Sequence, residues 1–396
     1  MPSRARTRLP IISRALFHRA MSAGRRWKAS DPRRILIAHH LLLGDTLMLT
    51  PLLAKLRSLY PRAEIVITAP KAIAPLYERR PYGAIAWPFD PYDIATIAAM
   101  FPKGGFDLAI TAADNRHSWL ALALDARWIV AHAGDRPAYK SWPVDELIPY
   151  PDKPAAWGDM VAMLIDGPPP PPYDPRDWPA PAHMPFEMPH KPYAVLHVGV
   201  STPLRMWEPH KWQTVAQQLS NRGYEVVWSG GKREAGVVAE VDPAGKHRSC
   251  AGMLDLPQLW QLIQHAALLV VLDTGVAHLG RITGTPTVTL FGPGSDVLFG
   301  AGDFWRNSPF RAVIIEDFHC RDQRTVFKRE ILWVRRCERS PAECAAPACM
   351  HAIQVDAVLS AIDALTTKGA SRHGVQAVSV SDYASQPEGR APATPR

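Results

Sequence analysis

Short apolar runs alternate with amphipathic stretches along most of the chain, and this alternation predicts the fold class. Strands are predicted in the first half at residues 35–38, 65–68, 106–111 and 128–131, with a helix at 46–59. Strands are predicted in the second half at 194–198, 225–229, 268–272 and 288–291, with helices near 209–221 and 256–265. Strands that alternate with helices indicate parallel sheets with helices on both faces, so we expect an α/β protein whose ligand lies at the strand ends.

The proline distribution and the chain length predict two domains. A chain of 396 residues exceeds what one hydrophobic core usually organises. Eleven of the 39 prolines lie between Pro168 and Pro192, where a stiff extended linker is the natural conformation. The predicted divisions are a basic arm at 1–34, a first domain at 35–166, a linker at 167–192, a second domain at 193–367 and a disordered tail at 368–396.

The net charge of +8 belongs to the amino-terminal arm, because residues 1–34 hold ten Arg or Lys and one acid. The remaining chain is nearly neutral, which disfavours a nucleic-acid-binding function. Leu9, Ile12, Leu16 and Met21 can share one helical face bordered by Arg14, His18, Arg19, Arg25 and Arg26. This pattern predicts either a helix on an anionic membrane surface or a disordered basic arm.

Localisation follows from the lack of long apolar runs. A bilayer span needs about 18 apolar residues, and Arg14 and His18 interrupt any signal-peptide core. We therefore expect a cytoplasmic protein, either free or with the arm peripheral on a membrane surface. The five cysteines, Cys250, Cys320, Cys337, Cys344 and Cys349, are odd in number and irregularly spaced. They favour reduced thiols over disulfides or a zinc site, and no metal is expected.

The segment 270–279 predicts a strand, a polar turn and a helix, and it contains the motif DTGVAH at 273–278. A helix that begins after a buried strand directs free N–H groups into the cleft and binds anions. Helix capping by Asp273 or Thr274 accounts for single residues, but the combination favours phosphate binding. No GxGxxG or P-loop motif is present, which excludes a typical dinucleotide oxidoreductase or P-loop enzyme.

A second motif follows the first predicted strand. Gly44, Asp45 and Pro51 form the pattern GDxxxxxP, which together with DTGxxH resembles glycosyltransferase family 9, the bacterial heptosyltransferases. The resemblance implies that Asp45 is the general base for the acceptor hydroxyl, with an ordinary carboxyl pKa near ~4. Without the resemblance, an N-cap role would explain Asp45.

Further segments extend the resemblance from about residue 35 to about residue 362. Residues 199–209 resemble the family's GASxxxKxWP loop, with Arg205 in place of lysine. The resemblance implies that Ser201, Thr202 and Arg205 contact the donor diphosphate, the alternative for Arg205 being a surface arginine. Glu234, after a glycine-rich turn, corresponds to a candidate for the ribose hydroxyls or to a solvated glutamate at a helix start.

The family implies a GT-B fold of two Rossmann-like domains, the first binding the acceptor and the second the nucleotide sugar. Donor diphosphate contacts are expected from Ser201, Thr202, Arg205, Thr274, Gly275 and His278. Asp273 is expected to orient the turn or to contact a sugar hydroxyl, since a carboxylate repels phosphate. Asn115, Arg116 and His117 are candidate acceptor-binding residues, the alternative being solvated loop residues.

These implications add up to an expected function. The chain is predicted to be an inverting glycosyltransferase that moves a sugar, heptose, from a nucleotide diphosphate donor, ADP-heptose, to a lipopolysaccharide core or related glycolipid. No cofactor is expected. The alternatives are a catalytically inactive GT-B protein that binds sugar nucleotides and a nucleotide-sugar epimerase.

Overall fold

A computed structural model describes residues 4–22, 26–316 and 318–370. The strands of the first half are β1 Arg34–Ile37, β2 Glu64–Ala69, β3 Ile85–Pro88, β4 Leu108–Thr111, β5 Ile129–His132 and β6 Glu146–Ile148. The helices are α1 Arg4–Met21, α2 Leu43–Leu47, α3 Thr50–Leu59, α4 Ile94–Ala98, α5 His117–Ala123 and α6 Trp157–Ala162. The strands pair in the order β3-β2-β1-β4-β5-β6, and every pairing is parallel.

The strands of the second half are β7 Tyr193–His197, β8 Glu225–Ser229, β9 Arg248–Ser249, β10 Leu268–Leu272, β11 Thr287–Phe291, β12 Phe310–Ile314, β13 Thr325–Val326 and β14 Arg329–Glu330. The helices are α7 Pro209–Asn221, α8 Ala235–Val241, α9 Leu256–Gln264, α10 Gly275–Thr283, α11 Asp296–Phe299, α12 Ala348–His351 and α13 Val355–Ala370. Six strands form a parallel sheet in the order β12-β11-β10-β7-β8-β9, the same winding as in the first half. β13 and β14 form a separate antiparallel hairpin.

The shared winding places the ligand-binding edges of the two sheets. Strand order reverses between β1 and β4 in the first sheet and between β7 and β10 in the second. Loops on either side of such a reversal diverge and leave a crevice at the carboxyl ends of the strands. The loops after β1, β7 and β10 are those that carry the motifs found in the sequence.

The predicted α/β class and its two parallel sheets are confirmed, but one helix prediction is wrong. The helix expected at 46–59 is divided into α2 and α3 by a turn at Met48 and Leu49, with Pro51 in the first turn of α3. The edge strands β3, β6, β9 and β12 were not predicted. They are only partly buried, so they lack the continuous apolar run of a central strand.

The amino-terminal arm is a helix docked on the first domain. Thr7 and Ala15 of α1 are buried, and Thr7 Oγ1 donates to the carbonyl oxygen of Pro91 at 2.7 Å. Arg14 Nε donates to Ala123 O at 3.0 Å, at the end of α5. The alternative of a disordered arm is therefore wrong for residues 4–22, whereas Arg25 lies outside the described residues.

Other basic residues of the arm pair with the domain as well. Arg26 Nε donates to Asp145 Oδ1 at 2.7 Å, and Lys28 Nζ lies 2.9 Å from Glu146 Oε2. At the other end of the chain, α13 continues to Ala370, so a disordered tail does not begin at 368. The rest of that predicted tail, from 371 onward, lies outside the described residues.

The proline-rich segment 167–192 packs against both halves of the molecule. Tyr173 OH donates to Ile282 O of α10 at 3.0 Å. Trp178 Nε1 donates to Leu76 O, in the first half, at 3.2 Å, and both aromatic side chains are buried. The segment thus joins the two domains through fixed contacts.

The β13–β14 hairpin forms a second connection between the domains. Its Arg329 is buried in the first domain, where Nη2 donates to Asn115 Oδ1 at 2.8 Å and Nε donates to Ala133 O at 2.9 Å. Arg329 Nη2 also lies 3.5 Å from Asp135 Oδ2. A buried guanidinium destabilises the protein unless it is hydrogen-bonded and paired with a carboxylate. This network therefore holds the hairpin and the first domain together.

Replacing Arg329 with methionine should lower the free energy of unfolding by about 3–5 kcal/mol, because a buried charge network loses its central donor. Arg324→Met is the matched control, since Arg324 lies exposed on the same hairpin, and its effect should stay within about 0.5 kcal/mol. Urea denaturation followed by tryptophan fluorescence measures both. Equal stability of the two variants would contradict the anchoring role of Arg329.

Candidate active site

A cavity of about 640 Å³ lies between the carboxyl edges of the two sheets. The first domain contributes the start of α2, and the second contributes the loops after β7, β8 and β10 and the hairpin region. The sequence-predicted residues in its wall are Asp45, Ser201, Arg205, Glu234, Asp273, Thr274, Gly275 and His278. The structure therefore gathers in one cavity side chains from positions more than 200 residues apart.

Two glycines allow the loops from opposite domains to touch. A Cβ atom on Gly275 would lie 2.8 Å from the backbone nitrogen of Gly44, and a Cβ on Gly44 would lie 3.1 Å from Gly275 Cα and 2.9 Å from His278 Cδ2. Real Cβ atoms essentially never come within 3.0 Å of such atoms, so a side chain at Gly275 would have to displace the backbone of Gly44, and one at Gly44 would have to displace the ring of His278. The start of α2 therefore meets the start of α10 directly.

Asp45 lies in the first turn of α2 and lines the cavity, while the N-cap position is Leu42. Burial raises the pKa of Asp45 to about 6, even though the charges of Arg205 and Arg336 lower it. Asp273 adds to the rise. The expected pKa near 4 is thus wrong, because the burial of Asp45 by the second domain cannot be read from the local sequence. A carboxylate with this pKa is largely ionised at neutral pH and is suited to accept a proton.

The start of α10 faces Asp45 across the cavity. Its first N–H groups, from Gly275 onward, have no carbonyl within the helix to bond. Thr274 Oγ1 is buried and has no hydrogen-bond partner among the described residues. Because nine residues of α10 align their peptide dipoles toward this end, the site favours an anion.

The pairing of Arg205 with Asp273 explains how a carboxylate can lie in a site that binds anions. Arg205 Nη1 lies 3.5 Å from Asp273 Oδ2 and also donates to the carbonyl oxygen of Asp273. Asp273 is buried, so its charge is offset by the guanidinium rather than by water. The pair orients the fork of Arg205 toward the cavity while reducing the repulsion that Asp273 exerts on a phosphate.

His278 presents a hydrogen-bond donor to the same cavity. Burial and the charges of Arg281 and Arg205 hold the pKa of His278 well below its usual value, so the ring is neutral. The Arg281 guanidinium, which can only donate, contacts His278 Nδ1. The proton of the neutral ring therefore lies on Nε2, which becomes the donor.

Among the other donor-side predictions, Ser201 and Glu234 line the cavity, but Thr202 has a local role. Thr202 Oγ1 accepts from Leu204 N at 3.4 Å and caps the short 3-10 turn Pro203–Arg205. Its hydroxyl thereby fixes the loop that carries Arg205.

The predicted acceptor residues separate into two groups. Arg116 and His117 line a second cavity on the first domain. Asn115 is completely buried: its amide donates to His132 O and Ser141 Oγ, both at 2.9 Å, and its oxygen accepts from Arg329. The assignment of Asn115 to acceptor binding is therefore corrected to a structural role, because its polar atoms are all engaged.

Three charged residues of the cavity wall were not identified from the sequence. Lys328, Arg336 and Glu338 lie in and after the β13–β14 hairpin, and Arg336 Nη1 lies 3.1 Å from Glu338 Oε1. The only signal was the density of basic residues in 324–336, which matches no phosphate-binding motif. Their contribution depends on the hairpin crossing to the first domain, which no local pattern reveals.

Metal binding has no evident location in the described part of the chain. No group of three or more His, Cys, Asp or Glu side chains there is arranged to hold a metal ion. The cysteines are free thiols, with Cys250 and Cys349 buried and the other three partly exposed.

Comparisons with known proteins show which family part of the chain is similar to. Residues 162–325 match the family described as Glycosyltransferase family 9 (heptosyltransferase). Lipopolysaccharide heptosyltransferase 3 of Escherichia coli is 29% identical over 163 residues, which cover 38% of this chain and 46% of that protein. The matched segment thus spans less than half the length of this relative.

Solved structures extend the likeness to most of the chain. ADP-heptose lps heptosyltransferase II of E. coli superposes with a TM-score of 0.66 at 18% identity, covering 85% of this chain and 99% of that one. An E. coli heptosyltransferase solved with ADP gives a TM-score of 0.62 at 16% identity, covering 84% and 99%. The two Rossmann-like domains and their shared cleft define a GT-B fold. The family match itself is confined to residues 162–325, less than half of the chain, while the solved structures extend the shared fold to both domains.

The carboxyl group of Asp45 should titrate near pH 6, and Arg336→Gln should raise its pKa further, because a cation that favours the ionised form is removed. Carboxyl-carbon NMR of the protein, with Asp45→Asn used to assign the resonance, measures the shift. Arg335→Gln is the control, since Arg335 is the exposed neighbour. An Asp45 pKa that Arg336→Gln left unchanged would show that the two groups do not interact.

Proposed function

We propose that the protein is an inverting glycosyltransferase that moves heptose from ADP-heptose to a lipopolysaccharide core or a related glycolipid. The observation that carries the proposal is the position of Asp45, which faces the anion-binding start of α10 across one cavity. The solved relatives support the donor, since one is described as an ADP-heptose lps heptosyltransferase and another was solved with ADP.

The geometry supports a direct displacement. The oxygen of the acceptor hydroxyl attacks the anomeric carbon from the face opposite the diphosphate, and Asp45 takes the proton of that hydroxyl. The bond between the anomeric carbon and the diphosphate oxygen breaks, and its electron pair remains on that oxygen. Attack from the opposite face inverts the configuration of the anomeric carbon.

The second domain stabilises the departing diphosphate. Arg205, the first N–H groups of α10 and His278 Nε2–H supply donors that are already oriented before reaction. Such fixed donors are each worth roughly a few kcal/mol to a developing anion. Because protein groups supply this charge stabilisation, the proposed reaction uses no cofactor. Glu234, which lines the same cavity, is assigned to the donor ribose hydroxyls.

Two other functions remain as outcomes of the test. A catalytically inactive sugar-nucleotide-binding protein would bind ADP-heptose without consuming it. A nucleotide-sugar epimerase would convert the donor without an acceptor. Mass spectrometry of the nucleotide products, with and without lipid A core fragments as acceptors, distinguishes these outcomes from transfer.

Asp45→Asn should lower kcat by about 10²- to 10⁴-fold while leaving ADP affinity unchanged, because the base is lost but the phosphate-binding loops remain. For the parent enzyme, kcat/KM should rise with pH through about 6, as Asp45 loses its proton. Asp303→Asn, at an exposed position, serves as the control. Turnover by Asp45→Asn at the parent rate would overturn the assignment of the base.

We further propose that α1 binds the surface of an anionic membrane. Its side opposite the domain exposes apolar residues, with Leu9 71% and Leu16 55% accessible. Arg8 and Arg19 lie exposed beside them. An apolar stripe flanked by arginines is typical of helices that lie in the headgroup region. No helix in the described part of the chain is both long and apolar enough to cross a bilayer.

Replacing Leu9 and Leu16 together with aspartate should reduce binding to vesicles containing phosphatidylglycerol at least ten-fold, since both apolar contacts are lost and charge repulsion is added. Vesicle sedimentation measures binding. Leu332→Asp is the control, because Leu332 is also 71% accessible but belongs to the second domain. If the double variant sedimented with vesicles as well as the parent, α1 would not be the membrane contact.

A further inference from the structure

A second cavity, of about 410 Å³, lies on the first domain beside the candidate active site. Its volume is within the usual range for small-molecule sites. One wall is α1, through Ile11 and Ile12, and the opposite wall includes Phe89 and Leu120. The cavity is adjacent to the donor cavity, because Phe327 at the tip of the hairpin lines both.

The chemistry of this cavity differs from that of the donor cavity. Its walls are mainly apolar and aromatic, and of the side chains that the structure describes only two cationic ones line them, Arg8 and Arg116. Arg116 is already paired, since its Nη2 lies 2.5 Å from Asp114 Oδ2. A core oligosaccharide with many negative charges would find few cations here, whereas a hydrocarbon group would find matching surface.

The tip of the β13–β14 hairpin lies between the two cavities, and several contacts fix its position. Phe327 and Lys328 have φ values of 47° and 66°, the left-handed conformation of a two-residue hairpin turn. The Phe327 ring packs 4.8 Å from that of Trp157, and Arg329 anchors the hairpin two residues later. A ligand in the second cavity therefore ends next to a fixed wall of the active site.

The outer side of α1 links this cavity to the molecular surface. Ile12 lines the cavity and is also 39% accessible, and it lies on the same face of α1 as Leu9 and Leu16. The apolar surface thus continues from the exposed stripe of α1 over its edge into the cavity. A hydrocarbon chain that leaves a bilayer under α1 would reach the cavity over Ile12, with the exposed guanidinium of Arg8 beside its path.

We propose that the second cavity binds an alkyl chain of a lipid-linked acceptor and so places the acceptor hydroxyl near Asp45. This rests on the proposed glycosyltransferase function and names the acceptor class as one with hydrocarbon close to the accepting sugar. α1 then has two roles, one toward the membrane and one as a wall of the acceptor site.

The test uses the full chain and two probes, n-octyl β-D-glucopyranoside below its micelle concentration and methyl β-D-glucopyranoside. Isothermal titration should show the octyl glycoside binding at least ten-fold more tightly than the methyl glycoside. Ile12→Asp should weaken octyl binding at least ten-fold by placing a charge in the wall, and Ile12→Trp should weaken it by filling the space. Ile94→Asp is the matched control, because Ile94 is 47% accessible and lies outside the cavity wall.

Thermal melting of each variant shows whether α1 remains docked. If Ile12→Asp undocks α1, Ile12→Trp still tests the cavity, because tryptophan keeps the apolar contact with the domain. Equal affinity for the two glycosides, or equal weakening by Ile94→Asp, would overturn the proposal. Transfer from ADP-heptose is measured on the same samples. Failure of octyl binding with intact transfer rejects only this acceptor class, whereas absence of transfer with any acceptor rejects the proposed function.

Discussion

The close approach of Gly44 to Gly275 is the contact on which the site depends. It joins the start of α2 in the first domain to the start of α10 in the second, with backbone against backbone. A side chain at either position would have to displace the other loop, since its Cβ would lie about 3 Å from backbone atoms. Because Asp45 follows Gly44 and Thr274 precedes Gly275, the same contact sets a carboxylate opposite an anion site.

Charge balance around this contact gives Asp45 its properties. Two carboxylates, Asp45 and Asp273, share the region with the guanidinium groups of Arg205 and Arg336. Burial alone would favour a protonated Asp45, and the two cations limit that rise. The result is a group that is ionised at neutral pH yet basic enough to remove a proton. Arg336 reaches the site because Arg329 anchors the preceding hairpin in the first domain.

The amino-acid sequence predicted the central strands and the motif loops because their signals are local. Buried strands such as β1 and β10 are apolar runs, and Asp45 and Thr274 belong to short motifs in the loops that follow these strands. The roles of Asn115 and Arg336 depended on interactions between residues more than 200 positions apart, which no window of sequence contains. The pKa of Asp45 and the docking of α1 likewise follow from burial by distant segments.

A crystal structure of the protein with ADP-heptose bound tests the central claim most directly. The account predicts that the diphosphate lies against the N–H groups at the start of α10 and the fork of Arg205. The anomeric carbon should lie between that diphosphate and the carboxylate of Asp45. A diphosphate bound away from α10, or a sugar whose anomeric carbon faces away from Asp45, would contradict the account.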